Sequence, residues 1–173
     1  MRTFIAIDFH SLEGYFTGLQ NQIPTELAKI KFTNKFHLTV KFLGEVPDSD
    51  IEKIKELLIE IKLKPFTVNL SEIGVFPNEN YIKVVWVGFE DNIDIINLQQ
   101  KIESKLQPMF KKEKRFHPHI TLARVKFVKD KEKFVESLKE IKVEPKNFEV
   151  NSFKLVKSTL TSSGPIYEDL ATF

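Results

Sequence analysis

Cysteine is absent from this 173-residue chain, which excludes disulfides, thiolate catalysis and zinc sites built on thiolates. Long apolar runs are also missing, and the first residues lead straight into strand-like sequence instead of a signal peptide. We therefore expect a cytoplasmic monomer without membrane segments. The net charge of +2 is small for a protein that holds a long duplex, so any nucleic-acid partner should be contacted at only a few phosphates.

Two segments share the pattern His-x-Thr followed by an apolar residue. They contain His37 and Thr39, and His119 and Thr121, in motif strands expected over residues 36–43 and 118–126. Polar and apolar residues alternate in each copy, so the imidazole and the hydroxyl two positions later point to the same face of a strand. One such match is a weak signal, but two in similar settings favour a shared function.

The similarity of the two segments extends beyond the motif. The two histidines are separated by 119 − 37 = 82 positions, and Phe-x-Val-Asn at 66–69 recurs at 148–151 with the same offset. Residues 4–9 resemble residues 84–89 at an offset of 84 − 4 = 80. We interpret this as an internal duplication within one bilobal domain over 1–173. Two pseudo-symmetric lobes would bring the motif strands to a central cleft.

Apolar periodicity predicts an α+β fold, with antiparallel strands and helices in each lobe. The expected strands cover residues 2–9, 36–43, 66–76, 81–89, 118–126, 148–160 and 166–172. The expected helices cover residues 11–22, 48–61, 91–109 and 130–141, and turns are expected at 77–80 and 162–165.

Two facing imidazoles supply an acid and a base near neutral pH without a metal. In-line displacement at phosphorus needs both, because one histidine takes the proton of the attacking oxygen while the other protonates the leaving oxygen. Each threonine hydroxyl can hydrogen-bond a non-bridging phosphate oxygen. Three nearby cations are candidates for adding positive charge: Lys41, Arg124 and Lys126.

Three structural alternatives accompany this interpretation. His117 and His119 form a His-x-His pair that could bind a metal, although Pro118 disturbs the alternation and a third ligand is not evident. Strict alternation places Phe42 and Arg124 on the face opposite the motif residues, with Phe42 in the core, unless the strands bend or bulge. The fourth histidine, His10, is expected in an exposed loop.

The chain resembles the two-histidine phosphoesterase superfamily and, within it, the RNA 2',3'-cyclic phosphodiesterases, also called 2'-5' RNA ligases. Residues 1–7, 36–44, 118–124 and 164–168 carry the resemblance. It implies a bilobal fold and a cleft that works without metal or cofactor. It also implies hydrolysis of RNA 2',3'-cyclic phosphate ends to 2'-phosphate ends, on RNA such as tRNA fragments, and reversible joining through a 2'-5' linkage.

The resemblance also implies a role for each matching residue. His119 is the general base and His37 the general acid, while Thr39 and Thr121 bind the phosphate. Arg124 is a further phosphate ligand, and Phe42 stands against the terminal nucleobase. We expect no metal.

Two rival functions stay open at this point. One is a phosphodiesterase that acts on small cyclic nucleotides or on 2'-5' oligoadenylates. The other is a non-catalytic RNA-binding module in which aromatic side chains stack on bases. Stacking alone does not require two matched His-Thr pairs.

Overall fold

The computed structural model describes residues 1–162 and 164–173, in which nine strands and four α-helices are found. The strands form one antiparallel sheet, and the α+β class is confirmed. In chain order the elements are β1 (Arg2–Asp8), α1 (Glu13–Gln20), β2 (Ala28–Phe32), β3 (His37–Glu45), α2 (Ile51–Ile59), β4 (Phe66–Asn78), β5 (Tyr81–Phe89), α3 (Ile93–Leu106), β6 (Ile120–Val128), α4 (Lys131–Lys139), β7 (Lys146–Val150), β8 (Lys154–Thr161) and β9 (Gly164–Thr172). None of the helices in the described ranges is long and apolar enough to cross a bilayer.

The helices bury apolar residues at helical spacing, as the sequence predicts. In α2 the buried residues are Ile51, Ile54 and Leu58, and in α3 the apolar ones are Ile95, Leu98, Ile102 and Leu106. Each such side chain contributes about 1.5–3 kcal/mol when it leaves water. Because isolated helices this short are marginal, this packing holds them in place more than local propensity does.

The strand order relates the two halves of the chain by an approximate two-fold axis. The sheet runs β7-β4-β5-β6-β3-β1-β8-β9, and β2 is attached to β6. Two pairings join residues that the duplication makes equivalent. Leu38 pairs with Ile120 between β3 and β6, and Thr67 pairs with Glu149 between β4 and β7. In both pairs the partners are 82 positions apart, as the two motif histidines are. The two-fold axis therefore passes between the two partners of each pair, and the motif strands β3 and β6 are neighbours at the centre of the sheet.

The region after α4 departs from the expected pattern. The sequence predicts one strand over residues 148–160, but the structure has two, and they pair with different neighbours. Phe153 is fully buried in the break between them and exchanges two backbone hydrogen bonds with Phe173. The apolar alternation shifts by one residue at the break, from Phe148 and Val150 to Phe153 and Leu155. A bulge within one strand would produce the same shift, so periodicity alone did not distinguish one strand from two.

Two local features were not resolved by the sequence. β2 was not expected, although its residues alternate between apolar side chains and lysines, because a run of five residues is short for a periodic signal; the segment pairs with β6. Of the turn predicted at 162–165, Ser163 lies outside the described residues. Gly164 begins β9 with a φ of 133°, a conformation that glycine adopts without a steric penalty.

Candidate active site

The single pairing between β3 and β6 determines where the motif side chains lie. Leu38 and Ile120 are partners and both are completely buried, so their neighbours along each strand point to the opposite face. In an antiparallel pair, the residue before one partner lies beside the residue after the other. The histidine of each motif therefore lies toward the threonine of the other motif. This brings the four predicted residues into one group: His37, Thr39, His119 and Thr121.

A β-bulge in each motif strand decides the two placements that alternation left open. Val40 is skipped in the pairing of β3 with β1, and Leu122 is skipped in the pairing of β6 with β5. Each bulge shifts the alternation by one residue. Strict alternation, which would have buried Phe42, is therefore interrupted by the bulge, and Phe42 is 63% exposed. Arg124 is exposed and close enough to both motif histidines to lower the pKa of each.

His119 is held by its backbone and by two aromatic rings. Its Nδ1 lies 2.8 Å from the carbonyl oxygen of His117, which can only accept, so Nδ1 carries the proton and donates. The neutral ring therefore has its lone pair on Nε2. The rings of Phe76 and Trp86 lie 4.8 and 6.2 Å from the imidazole between centroids. Burial lowers the pKa of His119 more than the hydrogen bond to His117 raises it, which favours the neutral base.

Trp86 can approach His119 because Gly74 lies beneath it. The two residues are partners in the pairing of β4 with β5. A Cβ added at Gly74 would lie 2.1 Å from Trp86 Cζ2, so only glycine leaves room for the indole. The indole also packs 4.8 Å from the His117 ring. This glycine therefore helps to set the position of the motif histidine.

His37 lies in a second aromatic environment. Its ring centroid is 5.1 Å from that of Phe4 and 5.2 Å from that of Tyr167. The pKa of His37 is lowered to about 4, chiefly by burial. The negative charge of Asp8 raises this pKa in part, whereas His119 and Arg124 add to the lowering. In the free protein His37 is thus neutral at pH 7.

An ionic cluster borders His37 and was not predicted from the sequence. Lys154 Nζ donates to Asp8 Oδ2 at 2.8 Å and to Asp169 Oδ2 at 2.7 Å. The backbone N–H of His10 donates to Asp8 Oδ1 at 2.8 Å. Burial raises the pKa of Asp8, but these hydrogen bonds outweigh it and the net pKa is lowered. Asp8 is therefore a fixed negative charge beside His37.

Lys41 does not face the phosphate site, contrary to the expectation from the sequence. The bulge turns it inward, where its Nζ donates to Glu103 Oε1 at 2.8 Å and to the Lys111 carbonyl at 3.0 Å. Glu103 Oε1 also accepts from the backbone N–H of Glu113. This buried pair connects β3 to the loop that leads to His119. Lys126 is exposed on β6.

Of the two remaining histidines, His10 is exposed as expected, although it begins a short 3-10 helix and is not in a loop. Its Nε2 is 3.5 Å from Glu13 Oε2. His117 is exposed, and its ring lies against Phe76 and Trp86. Within residues 1–162 and 164–173, no three His, Asp or Glu side chains gather as a potential metal-ligand set.

The aromatic residues around the two histidines were missed because they come from other strands. Phe4 lies on β1, Phe76 on β4, Trp86 on β5 and Tyr167 on β9. Signals were present for three of them, since Phe4 and Trp86 fall within the repeated segments 4–9 and 84–89, and Tyr167 falls within segment 164–168, which carries the family resemblance.

Comparison with known proteins identifies close relatives over the full chain. An RNA 2',3'-cyclic phosphodiesterase of Methanocaldococcus jannaschii is 41% identical over 172 residues, which cover 97% of each chain. Another protein of this name, from Thermotoga maritima, is 35% identical over 180 residues and covers 98% of this chain and 93% of its own.

Solved structures show the same fold. A Thermus thermophilus protein, TT0787, superposes with a TM-score of 0.79 at 26% identity, covering 100% of this chain and 97% of its own. E. coli LigT complexed with 3'-AMP has a TM-score of 0.75 at 24% identity, over 99% and 96% of the two chains, and this likeness concerns the fold alone. A family model described as LigT-like phosphoesterase matches residues 11–86 and again residues 87–167. The chain therefore belongs to the LigT-like phosphoesterases of the two-histidine superfamily.

Proposed function

We propose that this protein hydrolyses RNA 2',3'-cyclic phosphate ends to 2'-phosphate ends, with His119 as base and His37 as acid. The names of the relatives, at up to 41% identity, support the substrate class. The observation that carries the proposal is the four-residue group formed by the pairing of Leu38 with Ile120. It presents two histidines and two threonines on one face, as a displacement at phosphorus requires.

The roles follow from the surroundings of each ring. His119 Nε2, unprotonated because Nδ1 donates to the His117 carbonyl, takes a proton from the attacking water. The water oxygen bonds to phosphorus as the bond to O3' breaks, and His37 delivers its proton to O3'. The hydroxyls of Thr39 and Thr121 and the guanidinium of Arg124 hold the non-bridging oxygens, whose charge must be stabilised in the transition state.

The lowered pKa of His37 adds a condition to this mechanism. An acid must carry a proton, yet burial keeps His37 neutral at pH 7 in the free protein. A bound cyclic phosphate places a negative charge next to the ring, and this charge stabilises the imidazolium. We therefore assign the acid form of His37 to the complex with substrate.

Phe42 is the proposed contact of the terminal nucleobase. Its ring is exposed on the histidine face and lies 6.1 Å from the ring of Phe4, which itself contacts His37. Stacking on such a ring contributes about 1–3 kcal/mol per base. The same site would support 2'-5' joining if the 5'-hydroxyl of a second RNA replaced the attacking water. We expect a cytoplasmic monomer that acts on RNA such as tRNA fragments.

The test uses an RNA that ends in a 2',3'-cyclic phosphate, incubated with and without EDTA. We expect a 2'-phosphate product in both conditions. His37→Ala and His119→Ala should each lower turnover by roughly a hundredfold or more, since a positioned acid or base contributes ~10²–10⁴. Thr25→Ala, an exposed threonine outside the site, is the control that should keep full activity.

The outcomes separate the rival functions. RNA binding without turnover in the unmodified protein would favour the non-catalytic module. Near-wild-type turnover in a folded His37→Ala or His119→Ala variant would falsify the two-histidine mechanism. Turnover that disappears in EDTA and returns with one divalent metal would support the metal interpretation of His117 and His119.

A further inference from the structure

The two halves of the sheet differ beside their motif histidines. Ala6 pairs with Thr39 in the first half, and Trp86 pairs with Thr121 in the second. Because the two threonines are equivalent, the small Ala6 occupies the position that the large Trp86 occupies in the other half. The first half therefore carries a much smaller side chain at this position.

The surroundings of the two residues correspond as well. The Trp86 indole is surrounded by Gly74, Phe76, His117 and His119. The equivalents of these four residues in the first half follow from strand pairing and from position in the motif. Around Ala6 they are, in the same order, Lys154, Val156, Lys35 and His37. Together with Ala6, all four of these equivalents line a cavity of about 180 Å³. The cavity is therefore the space that an aromatic bicycle fills in the second half.

We propose that this cavity binds a nucleobase, and that the base belongs to the nucleotide on the 5' side of the one carrying the cyclic phosphate. The proposal rests on the proposed function, which puts the phosphate at the motif histidines. A cavity of about 150 Å³ is known to accommodate one benzene ring. The 180 Å³ beside His37 thus admits a pyrimidine ring or part of a purine, whose remainder extends toward the exposed Lys35.

The terminal base cannot fill this cavity while it stacks on Phe42. The near end of the cavity is formed by Phe4, whose ring lies 6.1 Å from that of Phe42. The far end is formed by Lys35 and Phe36, which precede Phe42 by seven and six positions, or roughly 20 Å at about 3.3 Å per residue. A base stacked on Phe42 covers only the near end, so filling the far end requires a second nucleotide. The site is thus matched to RNA ends rather than to cyclic mononucleotides.

The lining of the cavity suits a nucleobase on both its faces and its edges. The rings of Phe4 and Tyr167 lie 5.3 Å apart and supply aromatic surface for stacking. The carboxylates of Asp8 and Asp169 can accept hydrogen bonds from the N–H groups of a base edge, and Lys154 between them can donate. Water in the cavity would not require aromatic surface beside hydrogen-bonding groups, whereas a nucleobase uses both.

The experiment compares kcat/KM for three substrates. They are a mononucleotide 2',3'-cyclic phosphate, a dinucleotide ending in a 2',3'-cyclic phosphate, and the same dinucleotide with its 5' base removed. Stacking of one base predicts that the intact dinucleotide is better than the mononucleotide by roughly 5- to 150-fold. The abasic dinucleotide should lose most of this advantage because it keeps the linking phosphate but not the ring.

Two variants separate the cavity from the terminal base. Ala6→Leu fills part of the cavity with a larger side chain and should bring the ratio of kcat/KM for the intact and abasic dinucleotides close to one. Phe42→Ala is the matched control, because it should weaken all three substrates alike and leave that ratio unchanged. The ratio is the readout, so a general loss of activity in Ala6→Leu does not imitate the expected result.

Equal kcat/KM for the intact and abasic dinucleotides overturns the proposal, as does an unchanged ratio in Ala6→Leu. If Ala6→Leu does not fold, the abasic comparison decides by itself. Absence of hydrolysis with all three substrates contradicts the proposed function instead. Calorimetry with a dinucleotide 2'-phosphate then tests the cavity alone, and binding no tighter than that of the mononucleotide 2'-phosphate overturns it.

Discussion

Replacement of Glu103, whose carboxylate neutralises Lys41, should change the pairing register of β3. The side chains of Lys41 and Glu103 are each 3% exposed, and they are joined at 2.8 Å. Lys41 lies inside only because the bulge at Val40 reverses the alternation. The same bulge turns Phe42 outward. The position of Phe42 should therefore depend on Glu103, a residue of α3 that does not touch it.

The change in free energy between the two registers follows from the three side chains that change sides of the sheet. Glu103→Gln leaves a buried cation without its counter-charge, which costs about 3–5 kcal/mol. Without the bulge, Lys41 would return to solvent, Phe42 would enter the core and Leu43 would leave it. The last two changes nearly cancel, because each buried apolar side chain contributes about 1.5–3 kcal/mol. The ion pair therefore decides, and its loss shifts the ratio of the two registers by roughly a hundredfold or more.

The absence of cysteine makes the register directly measurable. Phe42→Cys or Leu43→Cys introduces the only thiol of the chain, and its reaction rate with a thiol reagent reports its exposure. With Glu103 present, the thiol at 42 should react fast and the thiol at 43 slowly. Glu103→Gln should reverse this order. Adding Lys41→Met should restore it, because an apolar side chain is stable in the inward position.

Glu56→Gln, at an exposed position of α2, is the matched control and should change neither rate. An unchanged order of reactivity at 42 and 43 in folded Glu103→Gln would refute the reasoning. So would failure of Glu103→Gln to fold, because the ion pair would then serve the fold as a whole rather than the register of one strand. Circular dichroism of each variant distinguishes these results.

Two further predictions concern the histidines. The free enzyme needs neutral His119 and protonated His37. The pKa of each histidine is lowered, that of His37 to about 4, so kcat/KM should peak below pH 6.5. The kcat profile should peak at higher pH, since bound phosphate stabilises the His37 imidazolium; coincident optima above pH 7 contradict this assignment. Gly74→Ala should displace Trp86, raise the pKa of His119 toward its ordinary value and lower kcat/KM by up to roughly a hundredfold. Gly18→Ala is its control, has open space around the added Cβ, and should stabilise α1 by about 0.5–1 kcal/mol with full activity.

The sequence by itself determined the α+β class, most of the secondary elements and the four motif residues. These features depend on local periodicity and on a repeat, and both are visible in the order of residues. His37 and His119 could be associated because the same pattern occurs twice at a constant offset. The offset even predicted the symmetry, since Leu38 and Ile120 prove to be partners across the axis.

Only the tertiary structure decided the side-chain placements that break alternation. The bulges at Val40 and Leu122 depend on pairing with β1 and β5, so no property of the motif strands alone reveals them. Lys41 illustrates the limit: a lysine is expected in solvent, and its burial depends on Glu103 of α3. The rings that lower the pKa of each histidine and the cavity beside Ala6 likewise come from distant strands. Sequence periodicity describes one strand at a time, whereas burial and electrostatics depend on all the elements packed around a site.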